Sequence, residues 1–258
     1  MPGHVAKNRR FWDRDADDYQ RRHGEGLARR AMAWGVWRVP EIQVRALDEV
    51  SGRDVLELGC GGAQWSVALA RRGARTVGID VSEVQLGHAR KRARRGGVDV
   101  ALLLADAERL PFADASFDLA FCDHGALSFA DPDRTVPEAA RVLRPGGLLS
   151  FSIASPLLFL CWNPVTQEVD DRLHGDWFAM RSDEDETTVQ FQRPYGDWLR
   201  LFRENDLEVE ELVHLRPHPG STTTYEDYAP YEWARRWPAE DLWKVRKRDR
   251  GRGRTSAV

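Results

Sequence analysis

Between residues 53 and 153 the chain alternates two apolar patterns. Short, nearly continuous runs (Val55-Leu56-Glu57-Leu58, Thr76-Val77-Gly78-Ile79, Val100-Ala101-Leu102-Leu103-Leu104, Leu148-Leu149-Ser150-Phe151-Ser152-Ile153) are separated by longer stretches with apolar residues every three or four positions. The first pattern predicts strands covered on both faces, and the second predicts helices with one buried stripe. Strands are expected at 53–58, 75–80, 99–104, 117–122 and 147–153, with helices at 64–72, 82–95 and 132–142. A helix at 194–205 and strands at 207–215 and 241–247 follow. This order predicts an α/β fold, Rossmann-like and doubly wound, whose mostly parallel sheet carries helices on both faces.

The flanks carry different patterns. Phe11, Asp15, Asp18 and Tyr19 fall at helical spacing within 10–22, and a second apolar-faced helix is expected at 40–49. Residues 154–190 break the rhythm with Phe159, Trp162, Trp177, Phe178 and an acidic run at 183–186. The expected organisation is one domain over 1–250, with a helical cap at 1–49, a ligand-binding core at 50–153, a covering insertion at 154–190 and a closing segment at 191–250. The charged, glycine-rich 251–258 reads as a flexible tail.

Chemistry enters where the first strand ends. Glu57 interrupts a buried apolar run, which is costly without a polar partner, and Gly59, Gly61 and Gly62 then supply the turn that lets backbone approach a ligand. Asp80 closes the next strand, where an acid accepts hydrogen bonds from ribose hydroxyls. A dinucleotide fingerprint would need a third glycine at 64; Gln64 stands there and counts against an NAD-dependent oxidoreductase.

The stretch Glu57-Leu58-Gly59-Cys60-Gly61 resembles motif I of the class I S-adenosylmethionine-dependent methyltransferases, with Ala63 at the motif's last glycine. Gly78-Ile79-Asp80-Val81-Ser82 resembles that family's ribose-binding strand end. Asp106-Ala107 sits in a stretch, Ala105 to Phe112, that resembles its adenine-binding segment. Ser116 to Phe121 resembles the fourth strand, and Arg141 to Gly147 the turn into the fifth. These stretches span about 50–155 and resemble the small-molecule type 11 methyltransferase domain of bacteria. The resemblance implies a seven-stranded sheet with its last strand antiparallel, and S-adenosylmethionine as methyl donor with S-adenosylhomocysteine as product. It implies cofactor contacts from Tyr19, Glu57, Gly59, Cys60, Gly61, Gln64, Asp80, Val81, Gln85, Asp106, Ala107 and Asp123.

The sulfonium is already an activated donor, so the protein need only orient an acceptor, and an oxygen acceptor gains from a general base. His124, in the loop after the fourth strand, is the expected catalytic residue, with His23 and His174 as weaker alternatives. That loop lacks the Asn/Asp-Pro-Pro-aromatic motif of adenine methyltransferases, and Cys122 lacks the preceding proline of cytosine enzymes. A small-molecule acceptor is expected, under an aromatic cover that includes Trp12, Trp34, Trp37, Trp162 and Trp177. A sensor or partner protein that binds the cofactor without turnover is the alternative.

Composition narrows the partners. Thirty-eight basic against 41 acidic residues give a formal charge of −3, unlike a protein built around nucleic-acid phosphates. Three scattered cysteines fit reduced thiols and suggest no metal site. The expected protein is cytoplasmic, makes no membrane contact, and is a monomer or homodimer.

Overall fold

Seven strands pair into one mixed sheet: β1 (Asp54–Leu58), β2 (Arg75–Asp80), β3 (Ala101–Leu104), β4 (Phe117–Asp123), β5 (Leu143–Ala154), β6 (Leu207–Leu215) and β7 (Glu240–Lys247). The computed structural model describes residues 2–249, so the tail expected at 251–258 lies outside the described residues. The spatial order is β6-β7-β5-β4-β1-β2-β3; β1 to β5 pair in parallel, and β7 runs antiparallel to both its neighbours. Strand order reverses between β1 and β4, which opens a crevice at their C-terminal ends where ligands of such sheets bind.

The continuous apolar runs are explained by cover on both sides. Leu56, Ala120, Phe151 and Trp243 point into one core with Trp198 and Phe202, while Val55, Phe121, Leu148 and Leu242 point into another with Trp34 and Trp65. Each large apolar side chain buried this way contributes about 1.5–3 kcal/mol. The main helices are α1 (Gly3–Arg29), α2 (Gln64–Ala70), α3 (Glu83–Gly96), α4 (Pro132–Val142) and α5 (Tyr195–Glu204).

Four boundaries differ from the pattern reading. α1 extends well beyond 10–22 at both ends, burying Val5, Asn8, His23 and Leu27 along one face. The helix expected at 40–49 is a single turn, Glu41–Val44, because Arg45 turns left-handed at φ 49° and the Glu41 carboxylate captures the backbone N–H groups of Ala46 and Leu47. Residues 33–40 form a hairpin, Ala33–Trp34 against Val39–Pro40, that the pattern did not signal. Strand β5 begins at Leu143 rather than 147; Phe117 pairs Leu143 and Leu119 pairs Leu148, so the Arg-Pro-Gly-Gly stretch bulges from the ladder. The 154–190 segment holds a helix, Pro156–Cys161, and two small antiparallel ribbons.

Candidate active site

The turn after β1 packs backbone against backbone. Gly59 adopts φ 71°, and a Cβ there would lie 2.9 Å from the Gly125 carbonyl carbon and closer still to the Ala126 amide nitrogen. The loops after β1 and β4 thus interlock, which draws the floor of the crevice together. Gly61, at φ 49°, has open space on its Cβ side, with only Gln85 Oε1 near, 3.8 Å away. Ala63 also adopts the left-handed region, φ 54° and ψ 34°, as the N-cap of α2. A side chain there costs roughly 1–2 kcal/mol, but glycine's unfolded-state entropy takes back about 0.5–1 kcal/mol and the lost methyl, fully buried at Ala63, about 0.8 kcal/mol, so Ala63→Gly is expected to leave stability nearly unchanged. A loss of more than about 1 kcal/mol in urea unfolding of A63G would show that packing of the methyl outweighs the backbone strain.

A cavity of about 670 Å³ sits over this turn, and the twelve expected cofactor contacts and His124 all border it. Glu57 Oε2 accepts hydrogen bonds from the Ser66 amide, at 3.0 Å, and the Ser66 hydroxyl. Burial nevertheless pushes its carboxyl up to about 8. Asp80 Oδ2 accepts from the Gly61 amide at 2.8 Å and Oδ1 from Ser82 at 2.9 Å, and burial pushes it up to about 6. Asp106 both borders the cavity and caps its own turn, accepting from the Glu108 amide at 3.0 Å. Gln64 and Gln85 are tied into a network under α1: Arg92 donates to Gln64 Oε1 and the Gly62 carbonyl, and Gln20 donates to Gln85 Oε1. Asp123 is saturated by protein donors, taking Gly35 N and Ser152 Oγ on one oxygen and Trp65 Nε1 and Arg38 on the other. Burial would raise its carboxyl, but Arg38 and these donors hold it below the usual range.

His124 has an unusual backbone, φ 51°, pinned by its amide to the Ser152 carbonyl at 3.1 Å. Its Nε2 lies 2.5 Å from Glu240 Oε1, the first residue of β7 and fully buried. Burial pulls the imidazole toward its neutral form, and the Glu240 carboxylate more than offsets this, leaving it above the ordinary histidine range. The two alternative histidines separate. His23 borders the cavity, bonded to Thr224 and stacked at 4.3 Å on Tyr225. His174 is paired with Asp170 on the insertion and does not border the cavity.

The cover differs from expectation. Of the five tryptophans singled out, only Trp12 borders the cavity; Trp34 and Trp37 are core, Trp162 packs beside Trp37's cluster, and Trp177 packs on Tyr195. A tryptophan's area suits a core as well as a lid, so its presence alone does not decide between them. Besides Tyr19, Trp65 and Tyr225, the aromatic lining comes from Phe11, Trp12, Phe129, Phe159, Phe191 and Tyr228. Tyr19 bonds Tyr225 at 2.6 Å, joining α1 to the Thr- and Tyr-rich connection before β7. Arg38, Tyr225 and Glu240 were missed in the sequence. Glu240 carried the same signal as Glu57, an acid at the end of a buried strand.

Residues 56–151 match the family described as methyltransferase domain. These residues form a methyltransferase domain, with the fold of S-adenosylmethionine-dependent methyltransferase structures. Beyond that domain match, the chain is 42% identical over 118 residues to the methyltransferase GfsG of Streptomyces halstedii, covering 45% of this chain and 42% of that protein. It is 41% identical over 102 residues to the ubiquinone biosynthesis O-methyltransferase of Hahella chejuensis, 39% of this chain and 43% of that one. The chain thus spans less than half the length of these curated relatives. An S-adenosylmethionine-dependent methyltransferase structure from Mesorhizobium loti superposes with a TM-score of 0.64 at 23% identity, over 80% of this chain and 95% of that one.

The residues of the methyltransferase domain fit the cofactor its family implies. The open Cβ side of Gly61 leaves room for a ligand against the turn, and burial holds Glu57 and Asp80, both bordering the cavity, toward their neutral forms. The hydroxyls of a ribose and an ammonium group are further donors that favour the charged forms. Among the described residues no three His, Cys, Asp or Glu side chains group to hold a metal ion, and no helix is long and apolar enough to cross a membrane.

Proposed function

We propose that this protein transfers a methyl group from S-adenosylmethionine to a hydroxyl of a small, largely apolar acceptor. The observation that carries this reading is that one cavity joins the glycine turn, the acids Glu57, Asp80 and Asp106, and His124 under an aromatic roof. Its volume of about 670 Å³ lies within the range of small-molecule sites. When bound, the cofactor supplies an electrophilic methyl on a sulfonium, so the protein's task is orientation, desolvation and removal of one proton. In this reading Asp80 holds the ribose, Asp106 and Ala107 meet the adenine, and Tyr19 closes over the methionine end. The segments 1–49 and 154–190 supply the cover, with Trp12 and Phe159 facing the acceptor beside Phe191. His124 takes the hydroxyl proton. The O-methyltransferase named among the relatives favours oxygen as the accepting atom.

Calorimetric titration with S-adenosylhomocysteine tests the cofactor half. Asp80 must be ionised to accept from both ribose hydroxyls, and in the free protein it gains a proton near pH 6. Affinity is therefore expected to fall as pH drops below about 6 and to lose that step in Asp80→Asn, which should bind about tenfold or more weakly at pH 7.5. Any dependence near pH 8 belongs to Glu57. No binding by the wild type would end the proposal; binding without S-adenosylhomocysteine release over a panel of catechols and phenols would favour a sensor.

A further inference from the structure

We propose that Glu240 is the positioning residue of the proton transfer: its buried carboxylate takes Nε2–H of His124 and leaves the Nδ1 lone pair to the cavity. This rests on the methyl-transfer reading of that cavity. Four observations converge on it. Glu240 is fully buried, and a carboxylate there is expensive unless it is held by donors. Its Oε1 accepts from His124 at 2.5 Å and from the Val36 amide at 2.7 Å, while Oε2 has no hydrogen-bond partner among the described residues. The surroundings are shaped for it, since a Cβ at Gly35, φ 69°, would collide with the carboxylate. Last, His124 borders the cavity in a strained left-handed conformation, of the kind that costs about 1–3 kcal/mol and concentrates at functional sites.

The arrangement sets the chemistry of the ring. A carboxylate on one nitrogen selects the tautomer with its proton there and stabilises the imidazolium formed when the other nitrogen gains one. In the step, the acceptor O–H bond breaks and an Nδ1–H bond forms, the oxygen pair bonds the methyl, and the S–CH₃ pair stays on sulfur. The other charged and titratable groups facing the ring are Asp123 beside it in the chain, Arg38 from the 33–40 hairpin and Tyr228 edge-on at 5.7 Å. Asp123 also favours the charged ring but is bonded to Arg38, 3.2 Å away, and Glu240 is the carboxylate that accepts from His124.

Ring-carbon NMR titration of the seven histidines, in ligand-free protein and with S-adenosylhomocysteine, tests this on wild type, E240Q and E240D. His124, assigned by H124N, is expected to titrate above 6.5 in wild type. It should fall by about one pH unit or more in E240Q and lie between in E240D, with S-adenosylhomocysteine affinity kept within about twofold. An unchanged His124 titration in E240Q overturns the proposal, as does a loss of cofactor affinity as large as the shift. Should E240Q fail to fold, the same two readings on E240D decide. If wild type binds no S-adenosylhomocysteine, the function reading fails, while the ligand-free titration still judges the dyad.

Discussion

Gly59→Ala is expected to destabilise the protein by about 3 kcal/mol and to abolish S-adenosylhomocysteine binding in the fraction that folds. Two costs add. A side chain at φ 71° pays roughly 1–2 kcal/mol for the left-handed conformation. The methyl also drives into backbone, the Gly125 carbonyl carbon at 2.9 Å and the Ala126 amide, which cannot swing aside as a side chain does. The opposing loop is equally constrained, because a Cβ at Gly125 would meet the Leu58 carbonyl oxygen at 2.6 Å. Relief requires the loops after β1 and β4 to part, and those loops carry both the glycine cradle and His124. Gly62→Ala is the control, since its Cβ would meet chiefly the ends of Arg92 and Gln20, which can shift. Urea unfolding of the two variants separates the cases. A loss below about 1 kcal/mol for G59A would mean that the interlock yields easily.

That interlock marks the boundary between what was legible in the chain and what was not. The succession of strands and helices was legible in the apolar pattern, and the acids Glu57 and Asp80 could be read because a charged residue inside an apolar run is improbable without a partner, and because each lies within 25 residues of the turn it serves. Glu240 obeys the same logic, yet its partner His124 is 116 positions away, and no local pattern links them. Arg38 and Tyr225 were invisible for a related reason. They sit on a hairpin and an irregular connection, where no periodicity assigns a facing direction, and only the fold brings them to Asp123 and Tyr19. The short helix at Glu41–Val44 failed differently: a carboxylate bonding backbone ahead of it outcompeted the apolar stripe that favoured a longer one.

The flanking segments tie the cavity's roof to its floor. Asn8 on α1 donates to the Phe129 and Val189 carbonyls and accepts from the Val189 amide, stitching the helix to both the loop after β4 and the 182–191 ribbon. Arg92 on α3 does the same between the glycine turn and α1, reaching the Gly62 and Gly24 carbonyls. Displacing α1 would therefore break several of these hydrogen bonds at once, which favours movement of the roof as a unit.

His124→Ala is expected to lower kcat on a catechol acceptor by about 100- to 10,000-fold while leaving S-adenosylhomocysteine affinity nearly unchanged. The asymmetry follows from the geometry: the residue borders the cavity, but its ring bonds Glu240 and its backbone amide bonds Ser152, and neither bond goes to the glycine cradle. The pH dependence carries the sign. A base acts only when neutral, and the Glu240 carboxylate, outweighing burial, holds His124 protonated to higher pH than an ordinary histidine. Wild-type kcat should therefore climb with pH through a midpoint above 6.5 and then level off, and E240Q should move that midpoint down while lowering the plateau. The same shift acts on stability with the opposite sense: the ion pair's contribution is complete below the unfolded-state value near 6.5 and is lost as pH rises through the folded-state one. Rate and stability then trade across that window. A kcat that is flat with pH, or one that H124A leaves intact, would remove proton transfer from this site and leave orientation alone to account for catalysis.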